Sequence, residues 1–178
     1  MMEYKNVMLI SPDTIKAFGD LNYNVEDGVI GASIRAVQNV YLTDIIGVDL
    51  VEKLQQLIYN RIKGLEDNID DTSNYQYKAL LDDYINDVMA YKVAAEMCVR
   101  MALKMRNAGI VQTNDTNITN VSLKDVKYLS KSYDTYFNAA VNRMIKFIKE
   151  NKSAFPELDN VCCSKFLSKY GNTGLWLG

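Results

Sequence analysis

Apolar residues recur along this chain at the three-and-four spacing of a helix face, and short polar runs break the pattern into segments. Ser11-Pro12-Asp13 opens the first segment. A hydroxyl can accept from the unpaired N–H groups, Pro fits the first helical position, and an acid suits the positive end of the helix dipole. A short helix to about Phe18, stopped at Gly19, comes next. Asn24 is placed to cap a second helix with Glu26 and Asp27 in its first turn; Ile30, Ile34, Val37, Tyr41 and Ile45 form its apolar face, and Gly47 ends it. Asp49 is the expected cap of a third helix, with Leu54, Leu57, Ile58 and Ile62 inward and Gly64 as its stop. Residues 66–74 are polar and acidic without a period, which predicts a surface loop.

The longest pattern lies beyond that loop. Tyr77, Leu81, Tyr84, Val88, Tyr91, Ala95, Cys98, Ala102 and Met105 alternate spacings of four and three, a heptad-like seam of roughly 45 Å. Ile85, Met89 and Met101 widen it, Cys98 sits within it as a small buried hydrophobe, and Gly109 is its expected stop. Ile110–Thr113 and Ile118–Val121 are short, β-branched and separated by a polar turn at 114–117, which predicts a small hairpin or arm. Ser122-Leu123-Lys124-Asp125 resembles a capping box. A last long helix then carries the stripe Val126, Leu129, Tyr133, Tyr136, Ala140, Met144 and Phe147, and ends before Pro156. The expected fold is therefore all-α: a bundle with two long antiparallel helices joined by a short β-hairpin or arm, plus an extended C-terminal tail. Residues 1–157 form the helical domain and 158–178 a docking tail, whose Phe166, Leu167, Tyr170, Leu175, Trp176 and Leu177 are too few and irregular to make a core.

Composition narrows the chemistry. The chain has no histidine among its 178 residues, which removes Ser-His-Asp and Cys-His nucleophile pairs, an imidazole base and His-ligated metals. Net charge is −2, against the marked basicity of most nucleic-acid binders, but it is unevenly spread. Residues 1–74 hold 6 basic and 12 acidic groups, and residues 75–178 hold 14 and 10. Either this is ordinary surface composition or it is complementarity between identical subunits joined head to tail. Cys98, Cys162 and Cys163 include no CxxC pair, and the start has only a four-residue apolar run, so a reduced, cytosolic chain without a signal core or membrane span is expected.

Candidate sites are sparse. Asp82, Asp83 and Asp87 offer paired carboxylates on the long helix, but a solvated face is the plainer reading. Residues 66–74 lack the glycine and register of a calcium loop. Lys92, Glu96, Arg100 and Lys104 fall at i+4 steps, an ion-pair ladder or a charged face for a partner. The twelve tyrosines suit core or interface alike. No cofactor or metal is expected, and no catalytic set. The residues expected to touch partners are Arg100 and Lys104, Ile110 and Val111 in the arm, and Phe166, Tyr170, Leu175, Trp176 and Leu177 in the tail.

Several stretches in order carry a resemblance: Met8-Leu9-Ile10-Ser11-Pro12-Asp13, then Ile34–Leu50, then Asn107-Ala108-Gly109-Ile110-Val111, then Asn151 with Phe155-Pro156-Glu157. Over residues 7–158 the chain resembles head–tail connector proteins of tailed bacteriophages, in particular the ring (adaptor) proteins of crAss-like phages. The resemblance implies a structural virion protein, made in the host cytoplasm. It implies a ring, usually of twelve copies, below the portal protein, extending the channel through which genomic DNA passes without sequence-specific binding and giving the tail a docking face. It implies no enzyme activity and no membrane. On the same basis 158–178 is a portal- or neighbour-docking arm and 107–121 a loop against a neighbour or the lumen. A tail-completion or other virion adaptor is the nearest alternative; a small helical regulator or carboxylate-using enzyme is a more distant one.

Overall fold

The computed structural model describes residues 3–18, 25–106, 109–112 and 123–159. The fold class is all-α. A 3-10 turn (Glu3–Asn6) leads to α1 (Pro12–Phe18). α2 (Asp27–Val37) runs through a π-helical turn (Gln38–Leu42) into α3 (Thr43–Ile46). α4 (Val48–Lys63) is next, then a 3-10 turn (Thr72–Asn74). α5 (Tyr75–Leu80) continues through a second π-helical turn (Leu81–Ile85) into α6 (Asn86–Ala102). Strands β1 (Leu103–Arg106) and β2 (Gly109–Gln112) pair antiparallel, and α7 (Leu123–Glu150) and two 3-10 turns (Lys152–Ala154, Pro156–Asp159) complete the order.

Local chemistry explains the ends. Ser11 Oγ accepts from the Thr14 N–H at 3.1 Å, so the expected cap of α1 is in place. Gly47 has φ 84° and ψ 155°, and Gly64 has φ 66° and ψ 31°; both are left-handed values that a Cβ would strain. Beyond Gly64, the Leu65 N–H reaches back to the Asn60 carbonyl at 2.9 Å, which satisfies an otherwise orphaned acceptor at the helix end. Gly47 is also the N-cap of α4, so Asp49 lies in the first turn and is not the cap. Glu26 is the N-cap of α2 without a side-chain bond, and Asn24 and Ser122 lie outside the described residues.

The core is one cluster around α6. Leu80, Leu81, Ile85, Val88, Met89, Ala90, Val93, Ala94, Ala95 and Met97 are all buried, so this helix is enclosed on nearly every side. α1, α2 and α7 pack on it. The buried set is wider than the heptad seam, because the π turn takes in an extra residue and shifts the faces beyond it. Tyr84 is only half-buried, Cys98 half-buried and Met101 exposed. The helix stops at Ala102, so Met105 belongs to β1 and not to the seam.

Two buried glutamines hold the N-terminal segment. Gln38, the first residue of the first π turn, accepts from the Leu9 N–H at 2.9 Å and donates to the Val7 carbonyl at 3.2 Å. Gln55 of α4 donates to the Val7 and Lys5 carbonyls at 2.8 and 3.0 Å. The pair does for residues 5–9 what a neighbouring strand would do, in a place where water cannot.

The acidic stretch 66–74 is more ordered than its composition suggests. Ile69 is 1% exposed and its N–H donates to the Leu57 carbonyl at 3.2 Å. Buried Asn74 donates to Asp67 Oδ1 at 2.9 Å and to the Asn68 carbonyl at 2.8 Å, the Asn68 N–H donates to Asp71 Oδ2 at 2.8 Å, and Asn68 Oδ1 accepts from the Asp70 N–H at 2.9 Å in an Asx turn. Asp70 receives Lys78 at 2.6 Å and Arg61 at 3.9 Å. In α4, Ile62 is exposed and not part of the apolar face expected of it, because the loop anchored by Ile69 leaves the last turn uncovered.

Gln38→Leu strands a buried N–H and half-satisfies a buried carbonyl, which costs about 1–3 kcal/mol and should lower the melting temperature by roughly 2–10 °C; an unchanged melt would show that the strap is dispensable. A second outcome concerns pH. The Asn74 bond lowers the Asp67 carboxyl and the Lys78 bond lowers that of Asp70. Depressed carboxyls contribute order that is full above the ordinary value near ~4 and is lost as pH falls through the folded value below it. The protection of the Asn68–Asp71 amides, measured against their intrinsic exchange at each pH, should therefore fall below about pH 4 and stay flat from pH 6 to 8.

Candidate functional site

The α6–α7 pair is the longest packed surface, and its contacts run in opposite order along the two helices. Tyr84 stacks on Phe147 with centroids 4.5 Å apart, Arg143 meets Asp87 at 2.7 Å, Tyr91 meets Tyr136 at 5.5 Å, and Ser130 Oγ donates to the Ala95 carbonyl at 3.2 Å. The heptad-spaced tyrosines thus each find an aromatic partner, since Tyr77 also packs edge-on against Phe155 at 5.3 Å. Such pairs contribute about 0.5–1.5 kcal/mol each beyond their buried area. Tyr77 donates to both oxygens of Glu157, at 3.0 and 2.9 Å; burial first, and then that carboxylate, hold its phenol well above the ordinary range.

The two edges of α7 meet different elements. On one, Tyr136 touches Tyr91, which meets Phe18 of α1 edge-on at 4.8 Å. On the other, Asp134 receives Lys92 at 2.7 Å, and the ammonium lies 4.4 Å from the Tyr41 ring centroid, with Phe137 beside it. Burial alone would lower the Lys92 ammonium, but the Asp134 bond and charge outweigh it and hold it above its usual value. The expected i+4 ladder therefore does not form at Lys92: its acid is Asp134 of α7, and Glu96 instead accepts from the Tyr41 hydroxyl at 3.4 Å.

The stripe expected on α7 is one continuous face, but only its second half is covered. Ala140 and Met144 are buried, together with Phe137 and Val141, which widen the face there. Leu129 is 49% exposed and Tyr136 53% exposed, contrary to their expected burial, while Val126 and Tyr133 are half-buried. The bundle simply ends before the helix does: α7 has 28 residues, about 42 Å, and its first turns run alongside only the end of α6. Leu123 and Tyr128 are exposed on the same half, and Val99 and Met101 are exposed at the facing end of α6. Lys124, Lys127 and Lys131 are exposed on that half-helix as well, and Arg100 is exposed in the last turn of α6. The uncovered end thus carries an apolar strip at Leu129 and Tyr136 with Asp125 one turn before Leu129, while Lys124, Lys127 and Lys131 lie on the opposite side of the helix.

Of the expected contact residues, Arg100 lies at this end. Lys104 stands in β1 opposite Val111 of β2, with Met105 opposite Ile110. The strand that pairs with 109–112 is thus 103–106, and the expected partner 118–121 lies outside the described residues. Phe166, Tyr170, Leu175, Trp176, Leu177, Cys162 and Cys163 also lie outside them. Asp82 and Asp83 are exposed on the second π turn, and Asp87 is tied to Arg143, so the three carboxylates are not assembled into one site. Among the described residues no group of His, Cys, Asp and Glu is placed to hold a metal, and no helix is long and apolar enough to cross a membrane. Burial pushes the Cys98 thiol up, away from reactivity.

The profile of a family of unknown function, DUF6712, matches residues 42–166. The chain belongs to this family. The matched stretch runs from the end of the first π turn through α4, α5, α6, the strands and α7, and so the exposed α7 surface lies wholly within the DUF6712 region. Searches of curated proteins and of solved structures return no match.

The two halves of the α7 stripe should respond differently to truncation. Met144→Ala should cost about 2–5 kcal/mol of unfolding free energy, and Leu129→Ala in dilute solution less than about 1 kcal/mol. Equal losses in urea titrations would mean that Leu129 is covered within the single chain.

Proposed function

We propose that this chain is a structural subunit of a phage virion, a head–tail connector that forms a ring below the portal, extends the DNA channel and gives the tail a docking face. The observation that carries the reading is the half-covered stripe of α7, where Leu129 and Tyr136 continue the face that buries Ala140 and Met144. A single chain gains nothing from leaving large apolar groups in water on a face it otherwise packs, whereas a subunit needs such a face. The resemblance to connector proteins supplies the identity of the assembly, and the helical architecture fits it. In this reading residues 107–121, between α6 and α7, form a loop against a neighbour or the lumen, residues 158–178 dock on the portal or a neighbour, and DNA passes without sequence-specific contacts. The chain works by binding and not by catalysis, in the virion after assembly in the host cytoplasm. Asp87, committed to Arg143, gives the carboxylate-enzyme alternative little to build on. A tail-completion or other adaptor protein would use the same surfaces and differ in its position in the particle, which cryo-electron microscopy of the virion distinguishes.

The purified protein, alone or with portal, should show closed rings end-on in negative stain. Light scattering should report a mass that falls as salt is raised past a few hundred millimolar, where screening shortens the reach of charge to roughly 5 Å, and hardly changes between pH 6 and 8. A monomer at every concentration and ionic strength, with and without portal, would remove the connector reading.

A further inference from the structure

The outward face of α7 carries charge of one sign along nearly its whole length. Lys124, Lys127 and Lys131 are followed, at steps of three and four, by Thr135, Asn138 and Asn142 and then by Lys146 and Lys149; all eight are exposed. Helix geometry gathers them in a band about 100° wide and about 38 Å long, turned away from the face that buries Phe137, Ala140 and Met144. The acids of α7 stand off this band. Asp125 lies on the Leu129 side, Asp134 is turned to Lys92 at 2.7 Å, and Glu150 closes the helix 3.9 Å from Lys146. Among the described residues Lys124, Lys127, Lys131 and Lys149 have no acid at ion-pair distance, whereas Lys5, Lys16, Lys53, Lys78 and Lys92 each have one. A surface kept only for solubility mixes the two signs.

The band calls for a partner with negative charge spread over a similar length and little else. Protein interfaces bury an apolar centre, membranes take up an apolar helix face, and single nucleic-acid strands stack on rows of aromatic rings. Here one aromatic, Tyr128, stands at the margin, and the rest of the exposed groups are ammonium, hydroxyl and amide. Those are the groups that contact a duplex backbone, where phosphate needs cations and hydrogen-bond donors. The two lysine groups are centred about 30 Å apart, close to the roughly 34 Å in which a backbone returns to the same side of duplex DNA. The net charge of −2 is no obstacle. With a screening length of about 8 Å, a phosphate at the band responds to the band and not to the far side of the molecule.

We infer that the outward face of α7 docks on the phosphate backbone of duplex DNA and holds it without reading its sequence. Placing this face on the channel wall rests on the connector reading; the contact with duplex does not.

Fluorescence anisotropy tests it. The full chain, titrated at about 50 mM salt into a labelled duplex, should bind with a Kd of roughly 1–100 μM, and unlabelled duplex of unrelated sequence should compete equally. Lys124→Gln with Lys127→Gln and Lys131→Gln should weaken binding at least about tenfold and flatten the log–log salt dependence by about 3. Lys146→Gln with Lys149→Gln is an independent reduction at the other end, with a smaller loss. Lys5→Gln with Arg35→Gln and Lys63→Gln removes exposed cations from other elements and should bind within about twofold of the wild type. Matching circular dichroism melts establish that each variant folds. Equal losses in the α7 and control variants, a wild type that does not bind duplex, or capture by phosphatidylserine vesicles in preference to duplex each overturn the proposal. A chain that never forms rings, yet loses duplex binding only through the α7 lysines, sustains this face and sinks the connector reading. Rings of a wild type that does not hold duplex sustain that reading and sink this face.

Discussion

The burial of α6 on nearly every side is the constraint on which the rest of the molecule depends. A helix with Leu80, Ile85, Val88, Met89, Val93, Ala94, Ala95 and Met97 all inside, counted with the turns that lead into it, cannot be satisfied by one neighbour. It draws α2 along one side, α1 along another and α7 along a third, and the small residues Ala90, Ala94 and Ala95 let them approach closely. Apolar burial of this extent is the dominant favourable contribution to folding. Polar groups are then fitted around it rather than the reverse. Gln38 and Gln55 secure the N-terminal segment, and Lys92 is tolerated near the core only because Asp134 and the Tyr41 ring both face its ammonium.

Much of this is legible from spacing alone. Ser11, Gly47 and Gly64 mark element ends through local backbone chemistry, which needs no tertiary knowledge. The Tyr77–Tyr84–Tyr91 repeat marks the side of α5 and α6 that meets α7 and the 3-10 turns after it. The failures have physical causes of another kind. A three-and-four pattern assumes an unbroken α-helix, so it cannot foresee a π turn at Leu81–Ile85 or the stop at Ala102 that moves Met105 into a strand. Ile69, a lone apolar residue amid acids, has no period, yet it anchors its loop through one buried side chain and one backbone bond to Leu57. Sequence proximity assigns Lys92 to Glu96, while its real acid lies on the neighbouring helix.

The candidate surface is legible only in part, and the reason is geometric. Periodicity shows which residues of a helix share a face; it carries no information about how far along that face a neighbour extends. Leu129, Tyr136, Ala140 and Met144 belong to one stripe by sequence, and only the structure divides it into a covered and an uncovered half. Arg100 does sit at the exposed end of α6, but the ladder it was grouped with has members that serve different roles. The excess of acids over residues 1–74 is visible in sequence, but only the structure shows that Glu52 and Asp67 are tied to lysines while Asp44 and Asp49 stay exposed near the Gly47 turn.

The missing histidine takes on a second meaning at these surfaces. Beyond removing imidazole chemistry, it leaves the molecule's charge almost unchanged across the neutral range, because every cationic side chain is a lysine or arginine and the carboxyls titrate well below it. A contact between such subunits then responds to subunit concentration and ionic strength and hardly to pH across the neutral range. The lysines of the first half of α7 lie on the side away from Leu129 and Tyr136, so what the stripe offers a partner is mainly apolar area, and charge acts at its margins.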